Sequence, residues 1–119
     1  MAIAFPVAPL QALPLPESAP ALTFAACTGR LSALMEHQWI TDPPASDRTQ
    51  ALRAQMIDLL MAASDPDEGR LMLRRRLEAK AALAQLLTRA RSERRADLAQ
   101  TAQRMADRDV AACTSLLLH

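Results

Sequence analysis

Apolar residues recur along most of this chain at intervals of three and four, the period of helices that bury one side. Phe24, Cys27, Leu31, Leu34 and Met35 form the first such stripe, which closes near Trp39 and Ile40. The spacing predicts a helix that begins after Ser18, with Pro20 in its opening turn and Gly29 weakening its middle. Thr41-Asp42-Pro43-Pro44 breaks the pattern, because a residue ahead of proline is biased out of the helical region. A second helix is expected from Ser46 or Asp47. Its apolar face is Leu52, Met56, Leu59 and Leu60, at i, i+4, i+7 and i+8, widened by Ile57 and Met61.

The stretch from Asp65 to about Asp107 predicts one long helix. Asp65 suits the N-cap, Pro66 the first helical position, and Glu68 the reciprocal place of a capping box. Asp67 and Glu68 favour the positive end of the helix dipole. Ala, Leu, Arg, Gln and Glu, all strong helix formers, dominate the rest of the stretch, with no further proline and only Gly69 as glycine. At 1.5 Å per residue such a helix is roughly 60 Å long, too long for so small a chain to cover. Leu73, Leu77, Ala84 and Leu87 lie near one seam, with Leu83, Leu86 and Ala90 beside it. Leu98, Ala102 and Met105 continue the apolar side after Arg91-Ser92-Glu93-Arg94-Arg95, where the helix is expected to leave the bundle and meet water. From Val110 the chain turns apolar again. Leu116, Leu117 and Leu118 are expected to fold back on the helices or to dock elsewhere.

Five of the eight prolines fall in residues 1–20. That excludes regular helix and central strand, so an extended, disordered tail is expected there, ahead of a helical domain over 21–119. The apolar residues of the tail, Phe5, Val7, Leu10, Leu13 and Leu15, leave open that it lies along a groove or a partner. No period-two alternation marks a strand, and the only aromatic residues are Phe5, Phe24 and Trp39. The expected fold is all-α: a small antiparallel bundle of about three helices with one long C-terminal helix.

Net charge is +1, which argues against general nucleic-acid binding, yet the charge is unevenly placed. From Arg70 to Arg95 there are nine Arg or Lys against two acids. Arg74-Arg75-Arg76 is read first as a solvated face, with Arg74 pairing Glu78, or as a protein contact. Nucleic acid is the lesser reading, since no aromatics accompany the stripe to stack bases. Cys27 and Cys113 show no zinc spacing and are expected to be buried or inert thiols rather than a disulfide. His37 and His119 sit near no nucleophile or acid, and Gly29 and Gly69 form no phosphate loop. No catalytic residue, cofactor or metal site is expected. Prolines interrupt the apolar start, which lacks a basic lead, and no apolar run spans a membrane. A cytoplasmic protein is expected.

The segment Leu77–Ala99, LEAKAALAQLLTRARSERRADLA, resembles a helix of the flagellar export chaperone family FliT. The shared pattern is a run of leucines, an arginine-rich segment and a Leu-Ala close, here Leu83, Leu86, Leu87, Arg89, Arg91, Arg95, Asp97 and Leu98. Glu36-His37-Gln38-Trp39 is similar to the point in that family where a Trp follows the first helix, and the likeness covers about residues 22–105. Asp42-Pro43-Pro44 and the proline-rich tail depart from the family's pattern. The resemblance implies a cytosolic type III export chaperone that holds the helical end of a filament-cap protein and passes it to an export ATPase. In such a protein Leu83, Leu86, Leu87, Ala90 and Leu98 would form the apolar contact, and Arg91, Arg94 and Arg95 the charged rim. The alternatives are a helical assembly or scaffold subunit, including a homo-oligomer, and a small regulator acting through protein contacts or, less favoured, through nucleic acid on the Arg70–Arg95 stripe.

Overall fold

The computed structural model describes Ala4 and residues 19–117, so the expectations for the rest of residues 1–18 and for Leu118 and His119 lie outside the described residues. Among the described residues the chain forms four α-helices and no strand: α1 (Ala19–Thr41), α2 (Pro43–Ala63), α3 (Gly69–Ser92) and α4 (Ala96–Thr114). A 3₁₀ turn, Pro66–Glu68, leads into α3. It opens as the local chemistry dictates: Asp65 is the N-cap, and its N–H donates to Glu68 Oε1 at 3.2 Å.

α1 is the centre. It packs along α2 and α3 and touches α4, while α4 packs mainly on α3. Ala21 and Ala25 meet Leu60 of α2 and Met72 of α3. Ala33 meets Leu83 and Leu87 of α3 and Ala106 of α4. α1 and α3 therefore run the same way, with α2 and α4 opposed to them. Neighbours in sequence are antiparallel, as expected, but the most extensive contact is the parallel one between α1 and α3. Small residues permit it. A Cβ at Gly29 would run into the backbone carbonyl of Arg76 and come within 3.0 Å of Lys80 N, so glycine is required there by close approach. The small face of α1 adds Ala21, Ala25, Ala26, Thr28, Ser32 and Ala33 to the buried Cys27 and Leu31. The buried hydroxyls bond back along their helix, Thr28 to Phe24 O at 2.8 Å and Ser32 to Thr28 O at 2.9 Å.

The structure corrects several expectations. The long helix is two. Glu93 and Arg95 are extended, and Arg95 N–H donates to Glu93 Oε1 at 3.1 Å. The apolar gap at 91–95 is thus a turn where the chain reverses, and not a helix projecting into water. Reversal lets Ala102, Ala106 and Cys113 be buried, a tertiary gain larger than the propensity of five helix-tolerant residues. The seam on α3 is Met72, Ala79, Leu83 and Leu87; Leu73 (53% exposed), Leu77 (56% exposed) and Ala84 lie outside it. α2 begins at Pro43 rather than near Ser46, because Asp42 is its N-cap, with Oδ1 accepting from Ala45 N–H at 3.4 Å, and prolines suit the first turn. Arg75, not Arg74, pairs with Glu78, at 3.8 Å.

The cysteines differ most from expectation. Cys27 and Cys113 form a disulfide, with Cα atoms 5.4 Å apart, that ties the end of α4 to the middle of α1. Leu31 and Met56 complete that buried cluster, and Leu52, Leu59 and Leu117 pack on it. Of the terminal leucines, Leu117 thus folds back and Leu116 stays exposed.

Candidate functional site

The turn between α3 and α4 builds a cleft. Arg89 and Arg91 sit in the last turn of α3, where cations complement the negative end of the helix dipole, and Asp97 sits in the first turn of α4, where an anion does. Arg95 Nη2 reaches Asp97 Oδ2 at 3.2 Å on the surface. Beneath this polar turn the two helices diverge and leave a cleft of about 290 Å³, lined by Leu86, Arg89, Glu93, Leu98, Thr101, Ala102 and Met105. Its apolar residues come from both helices. Leu98 and Met105 remain 41% and 39% exposed, although Ala102, one turn from each, is buried. A wider concavity lies on the outer side of α3 and runs to Glu93 and Arg94; apart from that turn its lining comes from one helix, so it offers a surface rather than a groove.

The residues expected to bind a partner divide into three sets. Leu83 and Leu87 are buried in the contact of α1, α3 and α4, so they hold the helices together and are not accessible. Ala90 is half-buried beside them. Leu86 and Leu98 meet in the cleft, with exposed Arg94 and Arg95 at the turn above it. Arg91 faces a different place, a depression between α1 and α3 that it shares with Glu36, His37 and Ile40. His37 there is held below its ordinary pKa of 6.5, first by burial and then by the charge of Arg91. Nearby, Glu36 and Lys80 form an ion pair at 2.9 Å across the two helices.

Arg89, Glu93, Thr101, Ala102 and Met105 were missed as lining residues. The signal for them was the reversal at 93–95: once α4 folds back, Met105 falls opposite Leu86, two turns along from Leu98. Among the described residues no group of His, Cys, Asp or Glu is placed to hold a metal ion, and no helix is long and apolar enough to cross a membrane. The cleft offers apolar area from both helices and a charged rim at the turn. Comparison with protein-family models, with curated proteins and with solved structures returns no match.

Proposed function

We propose that this chain is a client-holding helical chaperone of the export type, which takes an amphipathic helix of an export substrate, such as a filament-cap protein, into the α3–α4 cleft and carries it to an export ATPase. The observation that carries this is the pair Leu98 and Met105, two large apolar side chains left open beside Leu86 in a cleft formed by two helices. An apolar client face would cover them, and Arg89, Glu93, Arg94 and Arg95 would select its charged flank. The resemblance of Leu77–Ala99 to export chaperones supports the same assignment. Leu83 and Leu87 have no part in the contact.

Such chaperones act in the cytosol, where thiols are kept reduced. The Cys27–Cys113 bond lies toward the other end of α4, at least about 12 Å along the helix from Met105. The cleft is therefore assembled by Ala106 and Val110 packing with Leu83 and Leu87, whether or not the sulfurs are joined.

The test is isolation of the chain with its partners from native cells, followed by light scattering of the complex. A filament-cap or other export substrate at a fixed ratio, lost on Leu98→Asp with Met105→Asp and weakened by Arg94→Glu with Arg95→Glu, is the expected result. Recovery of self-assembled protein alone, or of nucleic acid removed by high salt, would reject it.

A further inference from the structure

The Cys27–Cys113 bond holds a small, separable part of the bundle. Cys113 lies in the last turn of α4, which ends at Thr114. α4 packs mainly on α3 and only touches α1. Its hold on α3 comes from Ala106 and Val110 with Leu83 and Leu87, in a cluster that excludes both sulfurs. The contact of Ala21 and Ala25 with Leu60 and Met72 excludes them as well. The bond therefore anchors one helical turn, from Cys113 onward, to a bundle whose other apolar contacts close without it.

Both cysteines are buried, but a short turn covers them on one side. Leu117 packs on their cluster. Leu116 N–H donates to Cys113 O at 3.1 Å and Leu117 N–H to Thr114 O at 3.0 Å. Beside this turn lies an open depression of about 310 Å³, lined by Gln55, Asp58, Leu59, Leu116 and Leu117. Lifting Leu117 breaks those two bonds and one apolar contact, a local opening of the kind that helix ends undergo. The two sulfurs have different surroundings. Arg30 Nη1 donates to Cys113 Sγ at 3.5 Å, and among the described residues Cys27 has no such donor. A cation at that distance stabilises a thiolate. Here it offsets the negative end of the α4 dipole, which opposes one. Asp109, one turn back along α4, is paired with Arg108 at 3.6 Å.

We propose that Cys27 and Cys113 form a reversible thiol–disulfide switch that locks and releases the last turn of α4, with Cys113 as the leaving sulfur. The reductant is a dithiol. One of its thiolates attacks Cys27 Sγ, the Cys27–Cys113 bond breaks, and a mixed disulfide forms on Cys27. The bonding electron pair leaves on Cys113, as a thiolate beside Arg30. The second thiolate of the dithiol then attacks the reductant's own sulfur in the mixed disulfide. Cys27 departs as a thiolate and takes up a proton, the dithiol becomes a disulfide, and two electrons have passed to the chain. With no covalent tie, the turn lifts and uncovers Leu52, Met56 and Leu59 of α2. The α3–α4 cleft lies outside this switch, and neither reading depends on the other.

The test is reduction of the full oxidised chain by dithiothreitol without denaturant, with free thiols counted by maleimide labelling and mass spectrometry. Both thiols should appear while circular dichroism stays helical. Amide exchange should quicken over about residues 110–117 and stay unchanged at the α3–α4 turn. Oxidised glutathione should restore the bond and the protection. Arg30→Gln should slow reduction about threefold for each tenfold loss of acidity at Cys113. In a reduced chain carrying Cys27→Ala, the same change should move the thiolate absorbance to higher pH, and Arg30→Lys should restore both readings. Leu117→Ala should speed reduction. A bond that yields only after urea has unfolded the chain is a structural staple and would overturn the proposal. So would reduction that melts α1 and α2 as well, or a rate indifferent to both Arg30→Gln and Leu117→Ala.

Discussion

Reduction of the Cys27–Cys113 bond should destabilise this fold by several kcal/mol. The bond joins positions separated by 86 residues, nearly the whole helical region. Closing a loop of that size in the unfolded chain corresponds, in the chain-entropy account, to about 4.6 kcal/mol at 25 °C, and observed effects commonly fall at about 2–4 kcal/mol. At roughly 4–8 °C per kcal/mol for a domain near 100 residues, the thermal midpoint should drop by about 8 °C or more on reduction. The helices should survive at 25 °C, because Leu31, Met56 and Leu117 still surround the two sulfurs and Ala106 still packs on Leu83 and Leu87. The assay is urea unfolding followed by circular dichroism at 222 nm, with and without a phosphine reductant. The oxidised protein should also show the smaller m-value, since its unfolded chain stays more compact. Two thiols reacting with a disulfide reagent in the native oxidised protein, or superimposable curves, would refute the reasoning.

The remaining predictions concern packing and charge. Gly29→Ala should destabilise by about 1–3 kcal/mol, because its Cβ meets the Arg76 carbonyl and parts α1 from α3; an unchanged urea midpoint would contradict that contact. Met56→Ala, at a site with no exposure, should cost about 2–5 kcal/mol in the same assay. The His37 imidazole should titrate below 6.5 by NMR, and Arg91→Gln should recover only part of the shift, since burial is the larger cause. The unfolded chain then takes up that proton at a higher pH than the folded one. The His37 contribution to stability is therefore constant above the unfolded pKa and declines as pH falls through and below 6.5, and His37→Gln should flatten the decline.

The helical period was legible from side-chain spacing alone, and so were the capped start of α3 at Asp65 and the core positions Leu31, Met56 and Leu60, because these are decided within a few turns. The seam position of Leu87 was legible too, but the burial of Leu83 was not, since it depends on which flank of α3 meets α1, and Gly29 and Ala33 set that from another helix. A reading that ranks large apolar residues gives Leu73 and Leu77 the core places that Met72 and Ala79 hold. The small face of α1 carried the missing signal: Ala21, Ala25, Gly29 and Ala33 recur every fourth residue, the mark of a close helix approach. The turn at 93–95 was partly visible as a loss of apolar residues. The order of charges, basic Arg89 and Arg91 followed by acidic Asp97, marks the end of one helix and the start of the next. The pairing of Cys27 with Cys113 could not be read before that reversal was known, because a single straight helix carries Cys113 far from α1.

The central claim is that a client helix lies in the cleft of Leu86, Leu98 and Met105. Its most direct test is amide hydrogen exchange of the chain with and without the terminal helix of a filament-cap export substrate. The predicted footprint is slowed exchange confined to the end of α3, the turn and the first half of α4, about residues 86–105, and absent from the Leu98→Asp, Met105→Asp variant. No protection, or protection that falls elsewhere and survives in that variant, would contradict the account.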